Sequence, residues 1–468
     1  MKNAWKRPFS VLMALALCSV LAACGSTPKN SSDSSSSGAG SSAGSEPGAA
    51  EKPIEVVFWH SFGGATGEVL QKIIDTYNET RGVEKGIRVS LVYQGYEGTD
   101  KVLLAYQTKD TANAPDINVG LTSAIPSMAE LDWNVDISEY LDDPATEISA
   151  DAFPEAMQRA CSYEGKMVAV PFANSIPLLY YNADALKEAG FDRAPETLDE
   201  LAEYTKALTL KDDAGNVTRY GLNVQIRRYQ MVQFIVSQSP NSFFGDNEGG
   251  RTAPMTKITS GEDGTMKNFL EKWQKVIETG GYKYVEDNIN EEFAQGLSAM
   301  VIMSSSRLGT IKDLVGDSFD FQAAFLPKVN EGDNGGAAVG GSCLNLFKIG
   351  DKARADAAWD VIQYCVQPEN QMIFSQASGY IPVNHATYEL PEMVKYYEEN
   401  PQYKVALDEM LAASPNAQEP LDLVYNDVQK VITDTMLEFC EGKRSVDDTV
   451  EKITAECNAL LDEYHAAN

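Results

Sequence analysis

The chain of 468 residues sets 38 Lys+Arg against 68 Asp+Glu, a formal charge of −30, with 43% hydrophobic and 9% aromatic residues. Such a chain supports one large core or two medium ones, because domains usually span about 50–250 residues, and two lobes are the first expectation. The acidic excess excludes broad nucleic-acid binding, which needs clustered Lys/Arg to displace counterions.

The chain opens with Lys2, Lys6 and Arg7 ahead of an apolar run, Phe9 to Leu21, broken only by Ser10, Cys18 and Ser19. This is the charged and apolar pattern of an export signal and is too short to span a bilayer. Leu21-Ala-Ala-Cys24 closes it and looks like the lipobox of bacterial lipoproteins, in which small residues admit the signal peptidase and the Cys24 thiol takes a diacylglyceryl group. An ordinary small-residue cleavage beside an incidental Cys, or an uncleaved anchor, is the other reading. From Gly25 to Lys52 the chain is Gly, Ser, Ala and Pro with almost no apolar bulk, a tether that cannot form a core. The expected order is a lipoprotein signal peptide at 1–23, the lipidated Cys24 and its tether at 24–52, and a folded body held on the extracellular face of the cell membrane.

From Ile54 onward strands and helices alternate, which points to a mixed α/β architecture. Ile54 to Trp59 reads as a buried strand, and Val69, Leu70, Ile73, Ile74 and Tyr77 recur at helical spacing. Ile87, Val89, Leu91 and Tyr93 alternate as a second strand, Lys101 to Gln107 is helical, and Asp116 to Val119 is a third strand. A start of this kind builds an open sheet that binds ligands at the carboxyl ends of its strands. Beyond it, Met167 to Phe172 and Leu178 to Asn182 read as strands, and Thr197 with Glu200 forms a capping-box pattern. Further strands follow at Ala299 to Met303 and Leu344 to Phe347, and after Lys352 the chain is mostly helical. The expected lobe ranges are 53–170 plus 300–345 and 171–299 plus 346–468.

Catalytic signatures do not occur. There is no Gly-x-Ser-x-Gly elbow, Walker loop, Gly-x-Gly-x-x-Gly fingerprint or His-Glu-x-x-His, and the three histidines, His60, His385 and His465, stand far apart. Neither a metal nor a cofactor is expected. Cys161, Cys343, Cys365, Cys440 and Cys457 give no disulfide framework; a Cys440–Cys457 pair and buried unpaired thiols both remain open. The more informative pattern lies at strand ends, where Trp59-His-Ser61, Tyr96, Thr122-Ser123, Asn174-Ser175, Tyr180-Tyr-Asn182 and Ser304-Ser-Ser-Arg307 set hydroxyls and amides beside flat apolar rings. That mixture suits a sugar or polyol, whose C–H faces stack on aromatics while each desolvated hydroxyl needs a partner.

The sequence resembles the extracellular solute-binding proteins of ABC importers, family 1, and within them the glycerol-3-phosphate and carbohydrate binders. The resemblance spans nearly all of residues 54–464 and rests on Phe58-Trp-His-Ser61, Val92-Tyr-Gln-Gly-Tyr96, Asn113-Ala-Pro115, Pro171 to Asn182, Gly296 to Met300 leading to Ser304-Ser305, Val339-Gly-Gly-Ser342, Pro368-Glu-Asn370 and Ser378-Gly-Tyr-Ile-Pro382. It implies a two-lobed periplasmic-binding-protein-like fold of type 2, each lobe a sheet flanked by helices, hinged by crossing strands and closing over a ligand. It implies no enzymatic activity, a monomer, a sugar or polyol-phosphate ligand, and permease subunits as partners. Tyr96, Ser175, Ser304, Gly341 and Tyr380 match ligand-contacting positions, and Trp59, Tyr229 and Arg307 are further candidates.

The sequence also departs from that pattern. Leu121-Thr122 stands where the glycerol-phosphate binders place a Glu, Gln225-Ile-Arg-Arg-Tyr229 where they place Trp residues, and Asp422 where they place a late anion-binding Arg. Loss of that Arg removes the best bidentate phosphate partner, leaving Arg227, Arg228 and Arg307 as cations that would restore a positive cleft. A neutral sugar and a glycerol phosphate both stay open. A secreted glycan hydrolase and a surface adhesin are the rival readings.

Overall fold

A computed structural model describes residues 52–284 and 288–467. The expected signal peptide, Cys24 and almost all of the tether therefore lie outside the described residues. In chain order the strands are β1 (Ile54–His60), β2 (Ile87–Tyr93), β3 (Ile117–Leu121), β4 (Ser162–Tyr163), β5 (Lys166–Met167), β6 (Val170–Ser175) and β7 (Pro177–Asn182). They continue as β8 (Leu210–Lys211), β9 (Val217–Asn223), β10 (Tyr282–Lys283), β11 (Ser298–Ser304), β12 (Phe321–Ala324) and β13 (Gly340–Leu346).

Two main sheets result. The first has five strands in the order β2-β1-β3-β13-β6; the second has six, in the order β10-β9-β11-β7-β12, with β8 paired to β9. Helices cover both, and their apolar faces follow the sequence periodicity. Leu70, Ile73, Ile74 and Tyr77 are the buried stripe of Gly64–Glu79, and Met266, Phe269, Leu270, Trp273 and Val276 that of Thr265–Glu278. Thr197 caps its helix as expected, its Oγ1 accepting from the Glu200 amide at 3.2 Å, but Glu200 turns its carboxylate to Arg193 and the Glu196 amide.

The expected lobe ranges do not follow the sheets. β6 lies in the first sheet, while β11 and β12, placed beforehand with the first lobe, are strands of the second. The helix Lys352–Cys365, placed beforehand with the second lobe, packs on β1 and β13. Two polar ties, one buried and one half-buried, hold it there. The Tyr77 hydroxyl donates to Asp360 at 2.8 Å, and Arg354 donates to Asp116, whose second oxygen also accepts from the Val57 amide. The division fails because sheet partners are far apart in sequence: β13 returns to the first sheet after the whole of the second has been laid down. All five cysteines of the folded body are unpaired and buried.

Candidate functional site

The topology brings the two sheets together at a single residue. In the first sheet β1, β2 and β3 run parallel and end at His60, Tyr93 and Leu121; antiparallel β13 begins on the same edge with Gly340, opposite Ser175 at the end of β6. In the second sheet the parallel pair β9 and β11 ends at Asn223 and Ser304, and antiparallel β7 begins beside Ser304 with Pro177. Only Ile176 separates Ser175 from Pro177. Its carbonyl accepts from the Ser305 amide at 2.8 Å. The carboxyl-end edges of both sheets therefore meet across Ile176, and such edges are where open α/β sheets hold ligands.

Four of the expected site residues gather here. Gly340 and Gly341 pair with Ser175 and Asn174, and Gly341 adopts φ +98°, with a Cβ position only 2.3 Å from the Ala173 carbonyl oxygen, so only glycine fits. The Asn174 amide donates to the Gly340 carbonyl at 3.1 Å, and the Asn174 carbonyl accepts from Ile381, which brings Tyr380 alongside. The Tyr380 ring stacks on Phe374 and meets Phe62 edge-on, both with centroids 5.9 Å apart. Gly379 lies against the Ser305 carbonyl, 2.8 Å from its Cβ position, so Tyr380 and Ser304 share the junction. Ser304 is itself held by the Tyr180 hydroxyl on its carbonyl at 3.2 Å and by Ser306 on its Oγ.

The remaining candidates divide. Tyr229 joins the cluster, its ring edge 3.4 Å from the Cβ position of Gly340. Burial pushes its phenol well up, and Glu419 adds to the shift. Tyr96 lies in the short turn Gly95–Glu97 just past β2, where only its backbone is described. Arg307 is exposed at the end of the turn that follows Ser304. Trp59 does not join: it is buried at 8% exposure beside Gln94, Lys101 and Leu104, in a groove along the helix Gly98–Thr108. Alternation along β1 explains this, since neighbouring residues face opposite sides of a sheet. His60, not Trp59, shares a side with the cluster's direction, tilting toward Phe62 with centroids 6.3 Å apart.

A family model described as bacterial extracellular solute-binding protein matches residues 72–404. The chain belongs to that family. Among curated relatives of this solute-binding protein, the sn-glycerol-3-phosphate-binding periplasmic protein UgpB of Pectobacterium atrosepticum is 24% identical over 434 residues, covering 88% of this chain and 92% of the relative. UgpB of Yersinia pestis is 26% identical over 387 residues, covering 77% of this chain and 81% of the relative. Among solved structures, the cyclic alpha-maltosyl-1,6-maltose binding protein of Arthrobacter globiformis superposes with a TM-score of 0.73 at 20% identity, covering 88% of this chain and 100% of that one. UgpB of Mycobacterium tuberculosis in complex with glycerophosphocholine gives 0.69 at 21% identity, covering 88% and 99%. These structures establish the two-lobed fold.

Two features of the solute-binding protein set the charge at the junction, one expected from the sequence and one not. Arg228, counted beforehand as a cation for the cleft, is buried and paired: its Nη2 donates to Asp422 at 2.5 Å and to the Pro420 carbonyl at 2.9 Å, and its guanidinium lies 4.2 Å over the Tyr425 ring. It does not restore a positive cleft. Arg227 is directed to the Gln225 side chain at 2.9 Å. The second feature is Glu419, 7% exposed, with Oε1 2.6 Å from the Cβ position of Gly340. Burial pushes its carboxyl up to about 7, against the pull of Arg228 and Arg251. Nothing in the sequence marked it among 68 acids.

A large surface concavity of about 1070 Å³ lies elsewhere, at the opposite edge of the second sheet by Asn182, Arg219, Glu291 and Phe319. It has no share in the junction, and strand-edge geometry and chemistry favour the junction as the site. Among the described residues no group of three His, Cys, Asp or Glu side chains is placed to hold a metal, and no helix is long and apolar enough to cross a membrane.

Proposed function

We propose that this protein is the receptor of an ABC importer, anchored by lipid on Cys24 at the extracellular face of the membrane, that captures a hydroxyl-rich solute of the carbohydrate or polyol-phosphate class. It works as a monomer, binds without catalysing a reaction, and hands the solute to membrane permease subunits. One lobe comprises the first sheet with the helices on it, including Lys352–Cys365, and the other the second sheet with the C-terminal helices. Contacts from both lobes stabilise the closed form, which the permease reads.

The meeting of the two carboxyl-end edges across Ile176 supports this reading, because Ser175, Gly341 and Ser304 belong to those edges, with the Tyr229 ring against Gly340 and Tyr380 following Gly379, which lies at the Ser305 carbonyl. Tyr96 and Arg307 are proposed as outer contacts. The names of the relatives add glycerol phosphate to the solutes worth testing. A thermal-shift screen of disaccharides, polyols, sn-glycerol 3-phosphate and glycerophosphocholine tests the reading. A true ligand at about 100 times its Kd adds roughly 2.7 kcal/mol of stability. Turnover of any of these compounds would instead make the protein an enzyme.

A further inference from the structure

We infer that Glu419 is a ligand-contacting carboxylate of the junction and that it selects solutes presenting a hydroxyl there over solutes presenting a phosphate. The inference rests on the receptor reading and names the chemistry of its site.

Buried carboxylates are nearly always hydrogen-bonded, because an uncompensated one loses its solvation for nothing in return. Glu419 is 7% exposed and no described residue donates to its carboxylate; its oxygens are not among the fully buried unpartnered side-chain atoms, so they keep an opening through which a ligand hydroxyl can reach them. Its backbone, by contrast, is fixed. The Arg251 guanidinium donates to the Glu419 carbonyl at 2.8 Å, Pro420 follows with its carbonyl on Arg228, and Val339 bridges to Gln418 beside it. The carboxylate is thus held over Gly340, the partner of Ser175, with the Tyr229 ring edge at the same glycine. An acceptor beside an aromatic ring and a serine is the set of groups that takes a polyol: O–H to the carboxylate, C–H to the ring.

Phosphate meets the opposite conditions. The two arginines whose charge acts on Glu419 donate elsewhere, Arg228 to Asp422 and the Pro420 carbonyl, and Arg251 to the Arg159 and Glu419 carbonyls, and the Nε of each is buried without a partner. Above pH 7, where Glu419 is ionised, an anion beside Gly340 would face an acceptor-only carboxylate, with the exposed Arg307 as an outer cation.

Calorimetric titration of the purified protein and of Glu419→Ala and Glu419→Gln with maltose, ribitol and sn-glycerol 3-phosphate tests this. The expected result is a neutral probe bound at least tenfold more tightly than the phosphate, an affinity at least tenfold weaker in Glu419→Ala, and an intermediate loss in Glu419→Gln. The Gln variant keeps the volume and carries the test if the Ala variant does not fold. A neutral probe bound equally by all three proteins removes Glu419 from the site and overturns the inference while the receptor reading stands. Preference for the phosphate also overturns it. No binding of any probe by the unaltered protein removes both.

Discussion

Arg228 and Asp422 form a buried ion pair, Nη2 to Oδ2 at 2.5 Å, which ties the start of the helix Arg228–Val236 to the segment before Tyr425–Cys440. Removing one partner of such a pair strands the other charge in a medium that solvates it poorly. Asp422→Ala should cost about 3–5 kcal/mol. The double change Arg228→Met with Asp422→Leu should recover most of that, because well-packed apolar residues replace buried pairs at little or no cost. Urea unfolding of the three proteins checks both.

Gly341 tests the close approach at the junction. An Ala there meets the Ala173 carbonyl at 2.3 Å and must also hold φ +98°. The expected loss is about 2 kcal/mol or more, from strain and clash together. Gly190 also has positive φ, at +90°, but nothing lies within 4 Å of its Cβ position. Gly190→Ala should therefore lose only about 1 kcal/mol, and the difference in urea midpoints isolates the steric part.

The buried acids set a pH dependence. Burial raises the Glu419 carboxyl to about 7, and Glu409 is raised by burial in the same direction. Arg228, Arg251, Tyr229, Tyr425 and Asp422 surround this region, and the two arginines pull the Glu419 carboxyl back down. Between the ordinary carboxylate range and pH 7 the folded form then holds a proton that the unfolded form has released. Stability falls as pH rises through that window, by ~3 kcal/mol for Glu419 taken alone. Melting at pH 5 and pH 8 should show the fall, and Glu419→Gln should reduce it.

Trp59 and Tyr229 should separate stability from binding. Trp59→Phe shrinks a packed side chain outside the junction and should cost about 1–2 kcal/mol of stability with ligand affinity changed less than about twofold, whereas Tyr229→Ala should weaken binding about tenfold or more. Titration with whichever solute raises the melting point reads the contrast.

Cys24→Ser tests the anchor. The unaltered protein should incorporate a radiolabelled fatty acid and fractionate with membranes. The variant should lose the label and appear in the soluble fraction. Equal membrane retention of both would rule out attachment through Cys24.

Local patterns in the sequence carried much of the fold. An apolar run marked β1, alternation marked β2, helical spacing marked the buried stripe from Leu70 to Tyr77, and hydroxyl residues at strand ends pointed to Ser175 and Ser304. Long-range pairing was hidden, because nothing local tells β13 to return beside β3 or Asp422 to meet Arg228 across 194 positions. Trp59 shows the sharpest limit. Its place at a strand end was legible, but a single step along the strand decides which face a side chain takes, and the aromatic signal was the same for either. Glu419 carried no signal at all, since nothing local in the sequence brings residue 419 against Gly340.

Small-angle X-ray scattering, recorded with and without the solute that stabilises the protein most, tests capture between the lobes most directly. The account predicts that the radius of gyration falls when the solute saturates the site, and that the solute is recovered chemically unchanged. A bound solute with no change in the radius of gyration, or one recovered as cleaved product, would contradict it.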